Sequence, residues 1–209
     1  MPTATFFRLP EEKRRRLIQA AWDEFTRVDL ANASINRIIR AAHIPRGSFY
    51  QYFGDKEELF RYLLGDMREY FSAVQREILE GSGGDLFALP LAAFDRFINQ
   101  SGSTGPALGR FVQVMRLNQG MDVQRLMGDR RCPLSSELME RAQLAGLRER
   151  DSAYVDNVFF LLVAALAFAV METINHPEKR EEQRRALEER VKIIQYGSSI
   201  RDKEETHAE

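Results

Sequence analysis

Ser34-Ile35-Asn36-Arg37-Ile38-Ile39-Arg40-Ala41-Ala42-His43-Ile44-Pro45-Arg46-Gly47-Ser48-Phe49-Tyr50-Gln51-Tyr52-Phe53-Gly54-Asp55-Lys56 is the stretch that decides the fold. Ser34 stands where a helix N-cap is needed, and Ile35, Ile38 and Ile39 recur at helical spacing. A short helix is therefore predicted from Ser34 to about Ala42. His43-Ile44-Pro45 interrupts it, because the residue before a proline is pushed toward extended geometry. Pro45 suits the first position of a second short helix, which Gly54 and Asp55 end. Asp55-Lys56-Glu57-Glu58 has capping-box form, with Asp55 as cap and Glu58 reaching back, and opens a long helix to about Leu79.

Upstream, a helix is predicted to begin at Pro10, with Glu11 and Glu12 on the positive end of its dipole. Ile18, Ala21, Trp22 and Phe25 form its expected buried face. Downstream, Gly81-Ser82-Gly83-Gly84 reads as a linker. Further helices are predicted at about 87–100, 106–118, 121–128, 134–145, 152–176 and 178–196. Pro106 and Pro133 mark two starts, and Gly120 and Gly146 two C-terminal caps. No run alternates with the period of a strand, so the expected class is all-α. The chain is divided into a three-helix head at 1–55, a helical body at 56–196 and a polar tail at 197–209, expected to be disordered.

The chain has 209 residues, 44% hydrophobic and 29% charged, with a formal net charge of −1. That balance is ordinary for a globular protein and argues against coating nucleic acid by bulk charge. Locally the sign differs. Residues 1–64 carry 11 Lys/Arg against 8 Asp/Glu, a net +3. The single cysteine, Cys132, rules out an intramolecular disulfide and a cysteine-ligated zinc site. Arg130 and Arg131 would favour its thiolate, but a partly buried, inert thiol is the plainer reading. The three histidines, His43, His176 and His207, lack metal-ligand spacing, and no Gly-rich phosphate loop or nucleophile motif occurs. No metal, cofactor or enzymatic activity is expected. Met1–Phe7 lacks the apolar core of a secretion signal, and Val158–Met171 falls short of the ~20 residues that span a bilayer. The expected compartment is the cytoplasm, without membrane association.

Two short helices joined by a tight turn, followed by a lysine at the next helix start, form the pattern of a helix-turn-helix. In that motif the second helix enters the major groove of double-stranded DNA, and side chains near its N-terminus touch base edges. Arg46 can pair bidentately with a guanine, Ser48 and Gln51 can donate or accept, and Gly47 permits close backbone approach. Tyr50, Tyr52, Lys56 and Ser34 are expected on phosphates. Taken alone, Phe49-Tyr50-Gln51-Tyr52-Phe53 would read as core packing, and a lone Arg or Lys as solvated surface. The ordered combination over about 25 residues overturns that.

Ser34 through Leu59 resembles the DNA-binding signature of TetR-type regulators, and the likeness extends back over Ile18–Phe25, covering about residues 10–64. It implies base contacts from Arg46, Gly47, Ser48 and Gln51, phosphate contacts from Ser34, Tyr50, Tyr52 and Lys56, and core roles for Phe49 and Phe53. Two positions depart from the family pattern. His43 stands where glycine is usual, at a turn position that favours positive φ, where histidine is tolerated. Pro45 replaces the usual polar cap of the reading helix.

One such head binds few base pairs weakly, so a homodimer on a palindromic operator is expected. Candidates for its interface are Val158–Met171 and the amphipathic set Leu187, Val191 and Ile194. The resemblance favours four helices, two per subunit. Phe71, Phe94, Phe97, Phe111, Met115, Phe159 and Phe160 are candidates for a pocket that takes an apolar or aromatic effector, with core packing the plainer reading for each. Asn99, Gln113, Asn118 and Tyr154 would be polar anchors. The competing reading is a helical protein-interaction module that has lost specific DNA binding.

Overall fold

A computed structural model describes residues 2–99, 101–118 and 136–200. Its elements are α1 (Ala4–Phe7), α2 (Glu11–Phe25), α3 (Ile35–Ala41), α4 (Arg46–Tyr52), α5 (Lys56–Gly81), α6 (Leu89–Phe97) and α7 (Pro106–Leu117). After these come α8 (Ser136–Arg141), α9 (Ser152–Asn175), a 3-10 turn at Pro177–Lys179 and α10 (Arg180–Ser198). Among the described residues β-pairing is limited to two isolated bridges, Ile98 with Thr104 and Leu147 with Ser199. The all-α expectation holds. The predicted helix at 121–128, the signals at Gly120 and Pro133, and Cys132 lie outside the described residues.

The chain forms two compact units, Met1–Phe71 with Pro106–Arg130, and Ser72–Gly105 with Arg131–Glu209. The expected boundary at residue 55 falls inside the first. The physical reason is the buried face of α5, where Leu59, Phe60, Leu63, Leu64 and Met67 complete the core that α2, α3 and α4 begin. On α2 the buried stripe is Leu17, Ala21, Trp22 and Phe25; Ile18, expected there, is only partly buried. α7 joins the same core through Val114, and Phe111 meets Phe71 edge to face at 5.3 Å. Buried Asn118 follows α7. Its Oδ1 accepts from the Leu30 amide at 2.9 Å, and its Nδ2 donates to the Val114 carbonyl at 2.8 Å. An otherwise orphaned loop donor is thereby satisfied across 88 positions of sequence.

A buried carboxylate orients α3 on α2. Glu24 is 4% exposed. Its Oε1 accepts from the Ser34 amide at 2.7 Å and from Arg37 Nε at 2.9 Å, and its Oε2 accepts from Arg27 Nη2 at 2.7 Å. Burial alone would raise the Glu24 carboxyl, but the hydrogen bonds from Arg37, Arg27 and the Ser34 amide outweigh it and bring it from 4.5 to about 2. Ser34 caps α3 as expected, accepting from the Arg37 amide.

In the second unit α9 packs against α6 and α10, burying Phe94, Phe159, Leu162 and Leu187. Arg180, 5% exposed, lies over the Phe94 ring at 5.6 Å and donates to Asp95 Oδ1 at 2.9 Å. Arg184 pairs bidentately with the same carboxylate, at 2.9 and 2.7 Å. The hydrogen bond from Arg184 lowers the Asp95 carboxyl against the opposing effect of burial. Two glycines are required by close approach. Gly84 (φ +92°) and Gly102 (φ +76°) would each place a Cβ within 2.6 Å of a backbone oxygen, that of Arg141 and that of Pro177 respectively.

The structure alters several predicted boundaries. Pro10 and Pro45 are N-cap residues rather than first helical residues. α1 was not expected at all. The Gly81 end of the predicted linker is the last residue of α5, and the Gly197 start of the predicted tail lies inside α10. Glu58 reaches back to the Gly54 amide at 2.6 Å, one residue beyond the capping-box partner, while its own amide donates to Asp55 Oδ1. α9 runs 24 residues, about 36 Å. It is therefore long and apolar enough to cross a bilayer, which the shorter run Val158–Met171 did not suggest. In this fold Val155, Val158, Phe159, Leu162 and Ala169 bury its inner side.

Because folding lowers the Glu24 pKa, the stability it contributes is present above pH 4.5 and is lost as pH falls toward 2. The shift sets a ceiling of about 3 kcal/mol, reduced by the solvent exposure of both arginines. Glu24→Gln should cost roughly 1–3 kcal/mol at neutral pH and flatten the acid limb of stability below pH 4.5. Chemical denaturation of both proteins between pH 7 and pH 3 measures this. An acid limb unchanged by the substitution would refute the assignment.

Candidate nucleic-acid interface

α3 and α4 each have seven residues, and the turn between them sets their crossing. His43 has φ +54°, the left-handed conformation expected of that position. It lets the Ile44 amide return to the Ile39 carbonyl at 3.0 Å, closing α3. Pro45 follows with φ −63° and ψ 147°. The helix receives no side-chain cap there, although the Ser48 amide bonds the Pro45 carbonyl at 3.0 Å.

The helical period then sorts the side chains of α4. Phe49 and Phe53 are fully buried, their rings 6.0 Å apart. Tyr52 shares that face at 8% exposure, with its ring 6.4 Å from Phe6. Arg46, Gly47, Tyr50 and Gln51 are exposed, and Ser48 is half-buried at the edge. Three of the four residues expected at base edges thus reach solvent freely. Gly47 has no atom within 4 Å of where a Cβ would sit, so the protein's own packing does not demand a glycine there.

Four placements differ from simple outward-pointing contacts. Arg46 Nη1 donates to Asn36 Oδ1 at 3.0 Å, so a side chain of α3 holds the guanidinium. Asn36 was not singled out from the sequence; its place one helical turn before Arg40 on the polar side of α3 was the available signal. Lys56 Nζ donates to the carbonyls of Ala31 at 2.6 Å and Ala33 at 3.2 Å. An ammonium has three donors, so one remains for another acceptor. The Ser34 hydroxyl is engaged as the α3 cap. Tyr52, expected among the phosphate contacts, is 8% exposed, because the i+3 spacing from Phe49 puts its ring on the buried side.

The aromatic set expected to line a pocket is divided between the two units. Phe71, Phe111 and Met115 belong to the first, and Phe94, Phe97, Phe159 and Phe160 to the second. Phe94 and Phe159 are packed core, whereas Phe160 is 54% exposed. Of the expected anchors, Asn118 is committed to Leu30 and Val114, and Tyr154 donates to the Ser198 carbonyl at 3.2 Å. An open cleft of about 300 Å³ lies along α2, lined by Arg15, Arg16, Gln19, Ala20, Asp23 and Ala41. It includes none of the aromatic residues expected to line a pocket.

The family model described as bacterial regulatory proteins, tetR family, matches residues 17–63, the span that holds α3, the turn and α4. The HTH-type transcriptional regulator HbdR of Aromatoleum sp. is 36% identical over 72 residues, 34% of this chain and 31% of that protein. The transcriptional regulator AcuR of Cereibacter sphaeroides is 32% identical over 76 residues, 36% of this chain and 35% of that protein. The match thus spans about a third of the length of these curated relatives. A solved structure of a TetR family transcriptional regulator from Chloroflexus aurantiacus is 29% identical, with a TM-score of 0.53 over 96% of this chain and all of that one. Residues 17–63 thus carry the signature of the tetR family of bacterial regulatory proteins, and the chain is similar along its length to a solved member of that family.

Proposed function

We propose that the protein is a transcriptional repressor that binds a palindromic operator as a homodimer in the cytoplasm and releases it on binding a small apolar or aromatic effector. The observation that carries this reading is the sorting of α4, with Arg46, Gly47 and Gln51 exposed and Phe49 and Phe53 anchoring the opposite side. Arg46, Gly47, Ser48 and Gln51 are the proposed base contacts, and Ser34, Tyr50 and Lys56 the proposed phosphate contacts. Tyr52 contributes through its packing. The hydrogen bond that Arg46 donates to Asn36 Oδ1 preorganises the guanidinium, which lowers the entropy lost when it pairs with a base.

The dimer face of α9 is proposed to be its exposed stripe Phe160, Leu161, Ala164 and Phe168, spaced as one side of a helix. Ile193 of α10, 72% exposed, extends the apolar surface. Leu187 and Val191, expected at the interface, are buried within their own unit instead. Effector coupling is supported by the place of α7, which carries Val114 into the core of the first unit and is followed by Asn118, bonded to Leu30. A ligand that binds better when α7 is displaced must weaken operator binding by the same factor.

Selection of fragments from the source genome, with the full-length protein, should enrich a palindrome. Recovery of none would favour the interaction-module reading. On the recovered operator, Arg46→Ala should cost about 1–3 kcal/mol and relax preference at one base pair per half-site. A loss that is equal for every sequence variant would make Arg46 a phosphate contact. Lys56→Ala should weaken binding to all sequences and lower the salt slope. It should also lower the melting temperature, because the carbonyls of Ala31 and Ala33 lose their donor. Phe160→Asp should give monomers in sedimentation and bind the full palindrome far more weakly. A dimeric variant would relocate the interface.

A further inference from the structure

The first residues of the chain lie against the end of α4, outside the span that carries the family signature. A helix leaves its last carbonyls without internal partners, and a seven-residue helix has few bonds to spare. In α4 two carbonyls at that end, those of Gln51 and Tyr52, are met from outside. The Thr3 hydroxyl donates to the Gln51 carbonyl at 2.5 Å, and the Thr3 amide donates to the Tyr52 carbonyl at 3.1 Å.

Thr3 is itself the N-cap residue of α1, where a hydroxyl ordinarily accepts from its own helix. Here it makes no such bond, and the hydroxyl is spent on α4. Three residues later Phe6 anchors the segment. It is fully buried, with ring centroids 4.9 Å from Phe53 and 5.2 Å from Tyr62. Arg14 closes the other end of α1 by donating to the Phe7 carbonyl at 3.4 Å. The segment is therefore held from both sides while it caps α4.

We propose that Thr3–Phe6 forms a latch that caps the reading helix at its C-terminus, which makes Thr3 a positioning residue for Gln51. Gln51 is exposed at the last turn of α4, and the carbonyl bonded by Thr3 is its own. Fraying of that turn would swing the Gln51 side chain. Fraying at the other end would move Arg46, which Asn36 already holds. The two ends of α4 are thus fixed by separate devices, and the latch governs the downstream one. This inference rests on the reading of α4 as the DNA-contacting helix.

The test compares full-length wild type, Thr3→Val and Thr3→Ser. Valine keeps the shape and the amide but removes the hydroxyl; serine keeps the hydroxyl. Phe6 is left intact, since its loss would hollow the core. Hydrogen exchange of the amides at 49–53 in the free protein should speed up in Thr3→Val and remain slow in Thr3→Ser, with α9 amides unchanged in both. On the operator recovered with wild type, Thr3→Val should bind about 2- to 10-fold more weakly. It should also flatten preference at the base pair facing Gln51, and Thr3→Ser should restore both. Equal exchange in wild type and Thr3→Val overturns the latch as a cap. Faster exchange with unchanged affinity and base preference overturns its role in positioning. If wild type enriches no DNA, the reading of α4 fails, and the positioning role with it, while exchange still reports whether the cap exists.

Discussion

Seven residues make fewer than two turns of α-helix, too few to persist in water without outside support, and α4 is such a helix. Most of the first unit is arranged around that constraint. Phe49 and Phe53 hold α4 to a core shared with α2, α3, α5 and α7. His43 supplies the left-handed turn at its entry and Thr3 the cap at its exit. Glu24 and Lys56 secure the loop and helix start from which α3 presents its partner Asn36. The outer face of α4 is exposed and contributes little to its stability. The burden therefore falls on its inner face and its ends.

The same constraint accounts for the buried charge. Glu24 has three donors and is nearly removed from solvent, an arrangement that is costly unless every lone pair is engaged. It ties α2 to the first residue before α3, which a hydrophobic contact could hold but not orient. In the second unit, Asp95 with Arg180 and Arg184 does similar work where α6 meets α10. Both networks join elements that lie apart in sequence, the second across 89 positions.

Much of the reading head was legible because its signals are local. Ser34 as a cap, the isoleucine spacing of α3 and the turn at His43 each act within about four residues. The identities of Phe49 and Phe53 as core follow from the same period. What escaped were features that depend on two distant segments meeting. Phe6 looks like an isolated aromatic until Phe53 and Tyr62 surround it. Tyr52 looks like a surface hydroxyl until the latch covers its face. The aromatic residues after position 67 all suit a pocket by composition, yet Phe94 and Phe159 are core and Phe160 faces out. Composition does not encode which side of a helix meets a neighbour.

The sequence by itself determined the all-α class, the helix-turn-helix and the left-handed turn, because capping, proline geometry and the 3.6-residue period are short-range physics. It also determined that Arg46, Gly47, Tyr50 and Gln51 share the exposed side of α4, but not that Tyr52 turns inward. Tertiary structure alone decided how Arg46 is held by Asn36, where the Lys56 ammonium goes, and that the head's core extends through α5 to α7. It alone brought Thr3 to the carbonyls of Gln51 and Tyr52 at the end of α4. Those are contacts between segments up to about a hundred positions apart, and only the packed chain selects them from the many that composition allows.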